Sequence, residues 1–244
     1  MQTNGQTSKF QSLMRKKVTI AIDGPSGSGK STTARLSAKH LGYTYVDTGA
    51  MYRAITLHVL NHNVPMKKKS RVVQAAAEVQ IQFTRTGENI EVLLDGKNVT
   101  NTIREPRIDK AVGLVSEIPG VRAIMVNLQR SLAEEGGVVM EGRDIGTRVL
   151  PNADLKFFLD ADIDERATRR QSQLAAQGIN MELETVKQEL IERDRRDTQR
   201  EESPLRAAQD AILIDTTNLT IEEQVDMIVR KVREKEVQEV ALNE

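Results

Sequence analysis

The stretch Val18-Thr19-Ile20-Ala21-Ile22-Asp23-Gly24-Pro25-Ser26-Gly27-Ser28-Gly29-Lys30-Ser31-Thr32 decides the fold. Its first five residues are apolar or β-branched and lie between Lys17 and Asp23, which reads as a short buried strand. A Gly-rich turn follows, and a helical pattern then runs from Lys30 to about His40. The turn fits G-x-x-x-x-G-K-[ST] in the context its mechanism needs, after a strand and before a helix. Glycines let the backbone curl so that several N–H groups converge on phosphate oxygens, and the helix start adds the positive end of its dipole. An ordinary Gly-Ser turn would match the residue types without matching both flanks. Gly24, Pro25, Ser26, Gly27, Ser28, Gly29, Lys30, Ser31 and Thr32 are therefore the expected triphosphate-binding residues. Lys30 is expected to bridge the terminal phosphates and the Ser31 hydroxyl to ligate Mg²⁺. The motif alone does not separate a kinase from a GTPase, a motor or a regulatory binder.

Outward from this loop, apolar runs recur with helical stretches between them. Tyr43–Val46 ends at Asp47, and Met51–Leu60 resumes helix periodicity. Val138–Met140, Leu155–Leu159 and Ala211–Ile214 are further strand candidates. Strands alternating with helices imply βαβ units and a parallel sheet. Asp23, Asp47, Glu141, Asp160 and Asp215 each follow such a run, so right-handed crossovers would gather them on one sheet edge, where open α/β sheets bind ligands.

The segment 64–107 reads differently. A polar helical stretch (Lys67–Ala77) precedes two alternating runs, Val79–Thr84 and Ile90–Leu94, with Gly87 and an Asp95-Gly96 turn as punctuation. We expect a small β-containing insertion there, a core over 18–63 and 108–244, and a disordered tail over 1–17. Val121–Leu132 is expected to be helical after the Pro119-Gly120 break. Residues 162–202 are dense in charge, with Arg166, Arg169 and Arg170 on one helix face. Thr220-Ile221-Glu222-Glu223 forms a capping box before the last helix.

Composition narrows the function classes. The chain has 244 residues, 35 Lys plus Arg against 35 Asp plus Glu, and no Cys or Trp. Zero net charge argues against a protein that coats nucleic acid or an anionic membrane. Lack of Cys excludes a thiolate nucleophile and a Cys-built zinc site, and fits a reducing cytoplasm. No run approaches the length of a membrane span, and the first seventeen residues lack the apolar centre of a secretory signal.

Two further motifs fall on the predicted ligand edge: Asp47-Thr48-Gly49-Ala50-Met51-Tyr52-Arg53 and Glu141-Gly142-Arg143-Asp144-Ile145-Gly146-Thr147. A third, Glu192-Arg193-Asp194-Arg195-Arg196-Asp197-Thr198-Gln199-Arg200, places Arg193, Asp197 and Arg200 on one helix face. With the phosphate loop and Phe158–Arg170, this ordered series resembles bacterial cytidylate kinases, from about Val18 to Asp215.

The resemblance implies a P-loop nucleoside monophosphate kinase fold: an α/β class, with a parallel sheet flanked by helices, a small β-containing insertion and a helical lid at about 162–202. It implies ATP-dependent phosphorylation of CMP or dCMP, with Mg²⁺ accompanying ATP. It suggests that Arg53, Arg143 and Arg200 hold the acceptor phosphate, Arg193 and Asp197 the sugar hydroxyls, and Arg122 and Asp144 the cytosine edge, with Thr48 beside the acceptor. A carboxylate suits the exocyclic amine of cytosine, whereas uracil presents an acceptor there. Arg166, Arg169 and Arg170 would close over the triphosphate. Lys30, Arg166, Arg170 and Arg200 are the expected catalytic residues. Gly113 departs from the pattern, because relatives often carry a Ser there that contacts the base; Ser116, one turn later, is a candidate substitute.

Other signals are weaker. Asp47 and Glu141 are candidates to order water on Mg²⁺, or else to serve as a helix cap or in a salt bridge to a neighbouring Arg. His58 and His62 sit at i, i+4 without a third ligand nearby, which reads as structural. Lys67-Lys68-Lys69 reads as a solvated loop. The expected partners are the small molecules ATP and CMP or dCMP, with no nucleic acid and no membrane, for a cytoplasmic monomer. Rival readings are a kinase favouring UMP or another small acceptor, and a P-loop protein acting on a macromolecule. In the kinase reading overall neutrality conceals a local cationic cleft, because Arg is gathered in the motifs that would surround the two phosphate groups.

Overall fold

The computed structural model describes residues 17–86 and 89–242. The expected tail lies, apart from Lys17, outside the described residues, as does Gly87. In chain order the elements are β1 (Thr19–Asp23), α1 (Lys30–Leu41), β2 (Thr44–Asp47), α2 (Thr48–Asn61), α3 (Lys69–Glu78), β3 (Ile81–Thr86), β4 (Asn89–Leu94), β5 (Lys97–Asn98), α4 (Pro106–Ser116), α5 (Pro119–Ser131), β6 (Val138–Gly142), β7 (Leu155–Asp160), α6 (Ile163–Ala175), α7 (Leu183–Gln199), β8 (Ile212–Asp215) and α8 (Ile221–Leu242).

Five strands form a parallel sheet in the order β2-β6-β1-β7-β8. Alternation along β1 explains its layers. Ile20 and Ile22 turn to one face and pack with Ala34 and Ala38 of α1, Phe157 of β7, and Ile228 and Val232 of α8. Ala21 turns to the other face, towards Met51 and Ile55 of α2 and Met125 of α5. The register sets Asp23 opposite Gly142, Asp47 opposite Glu141 and Asp160 opposite Asp215, so the acidic strand ends line one edge as the sequence pattern predicts.

A second, antiparallel sheet holds β3, β4 and β5 around the Asp95-Gly96 turn, where Asp95 has φ 49° and Gly96 φ 77°. The helices α6 and α7 pack on each other around their own apolar cluster of Ala167, Leu174, Val186 and Leu190. At α8 the Glu223 carboxylate accepts from the Thr220 backbone N–H at 2.8 Å, and the Thr220 hydroxyl accepts from the Glu223 N–H at 3.2 Å. This is the capping box read from the sequence.

Two features lie outside the sequence reading. The helix α4 starts at Pro106 in its first turn, so the expected insertion boundary at 107/108 falls inside that turn. Residues Ile145–Val149 form a single π turn after β6, a rare geometry that frequently marks functional sites.

Candidate active site

The phosphate loop is shaped by contacts only glycine permits. A Cβ on Gly24, whose φ is 155°, would lie 2.1 Å from the Leu159 carbonyl oxygen of β7. On Gly27, at φ 81°, it would meet the backbone oxygen of Arg166 at 3.0 Å. The loop therefore sits directly against β7 and α6. Inside it, Pro25 O accepts from the Ser28 hydroxyl at 3.1 Å and from Lys30 Nζ at 3.0 Å. Lys30 is buried, and burial together with the nearby Arg143 pulls its ammonium well below the usual lysine range. Such a group gains strongly from an anionic ligand. Ser26, Ser28 and Gly29 continue the loop, with Ser31 and Thr32 opening α1.

The end of β6 supplies the partner of this loop. Glu141 accepts from the Ser31 hydroxyl at 2.8 Å through one oxygen and from the Tyr45 hydroxyl at 2.5 Å through the other. Burial, then the charge of Asp47, raises its proton affinity. Asp47 caps α2 by accepting from Ala50 N at 2.8 Å, and its other oxygen accepts from Arg104 at 2.7 Å. Both predicted alternatives for Asp47, helix cap and arginine partner, are thus present together. The Thr48 hydroxyl donates to the Glu141 backbone oxygen at 2.7 Å, tying the start of α2 to β6.

Asp23 fixes the next turn. Its two carboxylate oxygens accept from the backbone N–H groups of Ile145 and Gly146, each at 2.8 Å, and burial pushes its pKa up to about 6. This anchors the π turn that follows Arg143 and Asp144, the two residues between β6 and that turn. Asp144 pairs with Arg122 of α5, and Arg200 stands 3.8 Å from its second oxygen. The Arg122 guanidinium also lies 5.9 Å from the Tyr52 ring centroid, in the range of a cation–π contact. Arg200 Nη2 is buried without a hydrogen-bond partner, so it retains donor capacity for a ligand.

Arg143 donates to Asp197 of α7 at 2.8 Å. Burial opposes ionisation of Asp197, but Arg143, Arg193 and Arg200 outweigh it and hold its pKa below the usual carboxylate value. Arg193 is half-buried, and desolvation first, then the like charge of Arg143, lowers its pKa to about 10. Arg53 of α2 donates to the Ile103 carbonyl at 3.1 Å and to Asp109 of α4. Arg170 reaches the other Asp109 oxygen at 3.5 Å.

Among the arginines of α6, Arg166 donates to Ala161 O, to Ser26 O of the phosphate loop and to Asp194. Arg169 is engaged instead with Glu165 and with Thr216 beyond β8. The three therefore point to different partners. The Ser116 hydroxyl donates to the Gly113 carbonyl at 3.1 Å, and a Cβ at Gly113 would sit 3.4 Å from an Arg196 nitrogen. His58 and His62 stack with ring centroids 4.0 Å apart.

Sequence reasoning did not assign roles to Tyr45, Tyr52, Asp23, Arg104 or Asp109. The position of Asp23 at a strand end was a usable signal, whereas Arg104 and Asp109 lie where no element was predicted. Among the described residues, no group of three or more His, Asp or Glu side chains could hold a metal ion on its own. The oxygens of Ser31, Asp47 and Glu141 nevertheless suit a hard cation, and Mg²⁺ is commonly held by few protein oxygens plus substrate phosphates. Among the described residues no single helix is long and apolar enough to cross a membrane.

The chain matches one family of known proteins over most of its length. The family model described as cytidylate kinase matches residues 20–234. A cytidylate kinase of Geobacillus sp. (strain WCH70) is 48% identical over 91% of this chain and 99% of its own length. Those of Caldanaerobacter subterraneus subsp. tengcongensis and Bacillus subtilis (strain 168) are 49% and 45% identical, each over 91% of this chain and over 97% and 99% of their own lengths. A solved gluconokinase from Sinorhizobium meliloti 1021, 16% identical over 93% of this chain and 96% of its own, superposes with a TM-score of 0.42, too low to bear on the site.

Proposed function

Because the chain belongs to the cytidylate kinase family, we propose that it transfers the γ-phosphoryl group of ATP directly, in line, to the phosphate of CMP or dCMP, giving CDP or dCDP. The observation that carries this reading is the juxtaposition of a phosphate loop holding a buried lysine with two arginine–carboxylate groups, Arg143–Asp197 and Arg122–Asp144–Arg200, each containing one of the two residues that directly follow β6, the strand beside β1.

Phosphoryl transfer asks the protein for position and for neutralisation of developing charge. The loop from Gly24 to Thr32 wraps the triphosphate, and Lys30 spans its terminal oxygens. Ser31 would hold Mg²⁺, with Asp47 and Glu141 ordering its water, and the ion would add to the neutralisation of those phosphates. The acceptor oxygen is already anionic, so no general base is required, and no histidine is assigned to this site. Arg53, Arg143 and Arg200 orient the acceptor phosphate through forked contacts. Arg193 and Asp197 take the sugar hydroxyls. Arg122 and Asp144 read the cytosine edge, with Thr48 alongside; the Ser116 hydroxyl donates to the Gly113 carbonyl in this structure.

Residues 64–107 serve as the monophosphate-side insertion and 162–202 as a lid. The separate apolar cluster of α6 and α7 supports the lid. Arg166 and Arg170 neutralise the transferring group on closure, which also excludes water as a competing acceptor. The balance of 35 positive and 35 negative residues supports small nucleotides, rather than nucleic acid or membrane, as partners.

The test is a coupled assay of ADP formation with ATP, Mg²⁺ and each nucleoside monophosphate in turn. CMP and dCMP should turn over fastest, with UMP weaker. No turnover of CMP or dCMP by folded protein overturns the reading, and faster turnover of UMP reassigns the base pocket.

A further inference from the structure

Asp109 has two partners that the proposed reaction needs elsewhere. It sits in the first turn of α4, where a carboxylate is favoured by the helix dipole. One of its oxygens is bonded to Arg53, whose side chain is 11% exposed, and the other faces Arg170 at 3.5 Å. It therefore joins an arginine of the acceptor side to an arginine of the lid helix. The charges of Arg53 and Asp109 also act on Arg193, so the carboxylate belongs to the same cationic cluster as the acceptor-side arginines. The other hydrogen-bonded Arg53 terminal nitrogen, Nη1, is held by the Ile103 carbonyl, so the Arg53 fork is occupied by groups of this chain itself.

A carboxylate presents two oxygens to a guanidinium fork much as a phosphate does. We propose that Asp109 is a placeholder for the acceptor phosphate, occupying Arg53 and Arg170 until a phosphate dianion displaces it. This deepens the kinase reading and rests on it for the identity of the acceptor. Displacement frees Arg53 to grip the incoming phosphate and frees Arg170 to turn to the triphosphate. Acceptor binding and lid charge are thereby coupled, and Arg170 stays withdrawn from ATP while the acceptor site is empty. The unproductive alternative is attack of water on the γ-phosphorus, which forms a bond to the water oxygen, breaks the bond to the bridging oxygen of ADP, and releases inorganic phosphate and a proton.

The experiment compares Asp109→Ala and Asp109→Asn with wild type and with Glu105→Gln. Glu105 is an acid one turn earlier that pairs with exposed Arg107, so the last variant controls for loss of charge alone. The first readout is binding of inorganic phosphate by calorimetry to protein without nucleotide. The second is KM for CMP against kcat, and the third is ATP hydrolysis without acceptor. Half-buried ion pairs of this kind correspond to about a fivefold change in an equilibrium. Asp109→Ala should bind phosphate about fivefold more tightly, lower KM for CMP by a similar factor with kcat little changed, and raise acceptor-free hydrolysis. Glu105→Gln should leave all three near wild type.

Weaker phosphate binding or a raised KM in Asp109→Ala would show that Asp109 holds Arg53 in its productive pose, and the proposal fails. A change in thermal stability with all three readouts unaltered makes Asp109 merely structural and also defeats it. Equal effects from Glu105→Gln reduce the result to general charge and do the same. If wild type does not phosphorylate CMP, the kinase reading falls, while the phosphate titration still decides the role of Asp109.

Discussion

Replacing Asp144 by alanine removes the carboxylate between two arginines. The side chains are 8% exposed for Asp144, 7% for Arg122 and 10% for Arg200, so both guanidinium groups would be left almost fully buried and facing each other. Removing one member of a buried pair costs about 3–5 kcal/mol, because the remaining charge loses its partner without regaining water. For a chain of this size each kcal/mol moves the melting temperature by about 2–4 °C, so a fall of about 6–20 °C is expected. Arg122→Ala should be milder, since Asp144 keeps Arg200 at 3.8 Å. In the double variant the two losses should fall short of their sum by about 1–3 kcal/mol, as for residues in direct contact. Thermal denaturation of the four proteins, with kcat/KM for CMP in parallel, measures this. Strict additivity, or a cost for Asp144→Ala below about 1 kcal/mol, would refute the reasoning that this pair is a single buried electrostatic unit.

The phosphate sides should separate by mutation: Arg200→Ala lowers kcat/KM for CMP by at least about tenfold, since it removes a charged hydrogen-bonding group, while ATP affinity changes less; unchanged CMP kinetics would remove Arg200 from the acceptor site. Lys30→Ala should lower kcat by at least about a hundredfold through the triphosphate side, and near-normal turnover would contradict that role. Gly24→Ala should abolish productive ATP binding, because its Cβ would lie 2.1 Å from the Leu159 oxygen, and wild-type kinetics would show that the loop can reshape. Asp23 gives a pH prediction, since burial raises its pKa from 3.8 to about 6 in the folded protein. Its stabilising contribution is therefore complete below about pH 4 and is lost as pH rises through about 6. Between pH 7 and 4 the wild type should gain about 3 kcal/mol relative to Asp23→Asn, and a flat difference across that window would contradict the assignment.

Much of the site is legible in the sequence because local rules determine it. The eleven residues from Ile22 to Thr32 encode strand end, turn and helix start, and the acidic residue ending each apolar run locates the ligand edge before any strand order is known. Parallel pairing then brings Asp47 beside Glu141 and Asp23 beside Gly142. What escaped the sequence depends on distant packing. The helix α4 has a weak signal beyond Pro106, and only its packing next to α2 brings Asp109 to Arg53. The Tyr45–Glu141 bond joins neighbouring strands 96 positions apart. The arginines of α6 share a helical spacing, but their partners are set by what surrounds the helix: Asp194 for Arg166, Thr216 for Arg169 and Asp109 for Arg170. Periodicity gives the face of a helix and leaves open what that face meets.

Direct transfer between two bound nucleotides is tested most plainly by following the phosphorus. ATP labelled in its γ-phosphate, incubated with CMP and Mg²⁺, should place the label in the β-phosphate of CDP, with little released as inorganic phosphate. Label appearing as inorganic phosphate while CMP stays unchanged would make the protein an ATP hydrolase and contradict the proposed transfer.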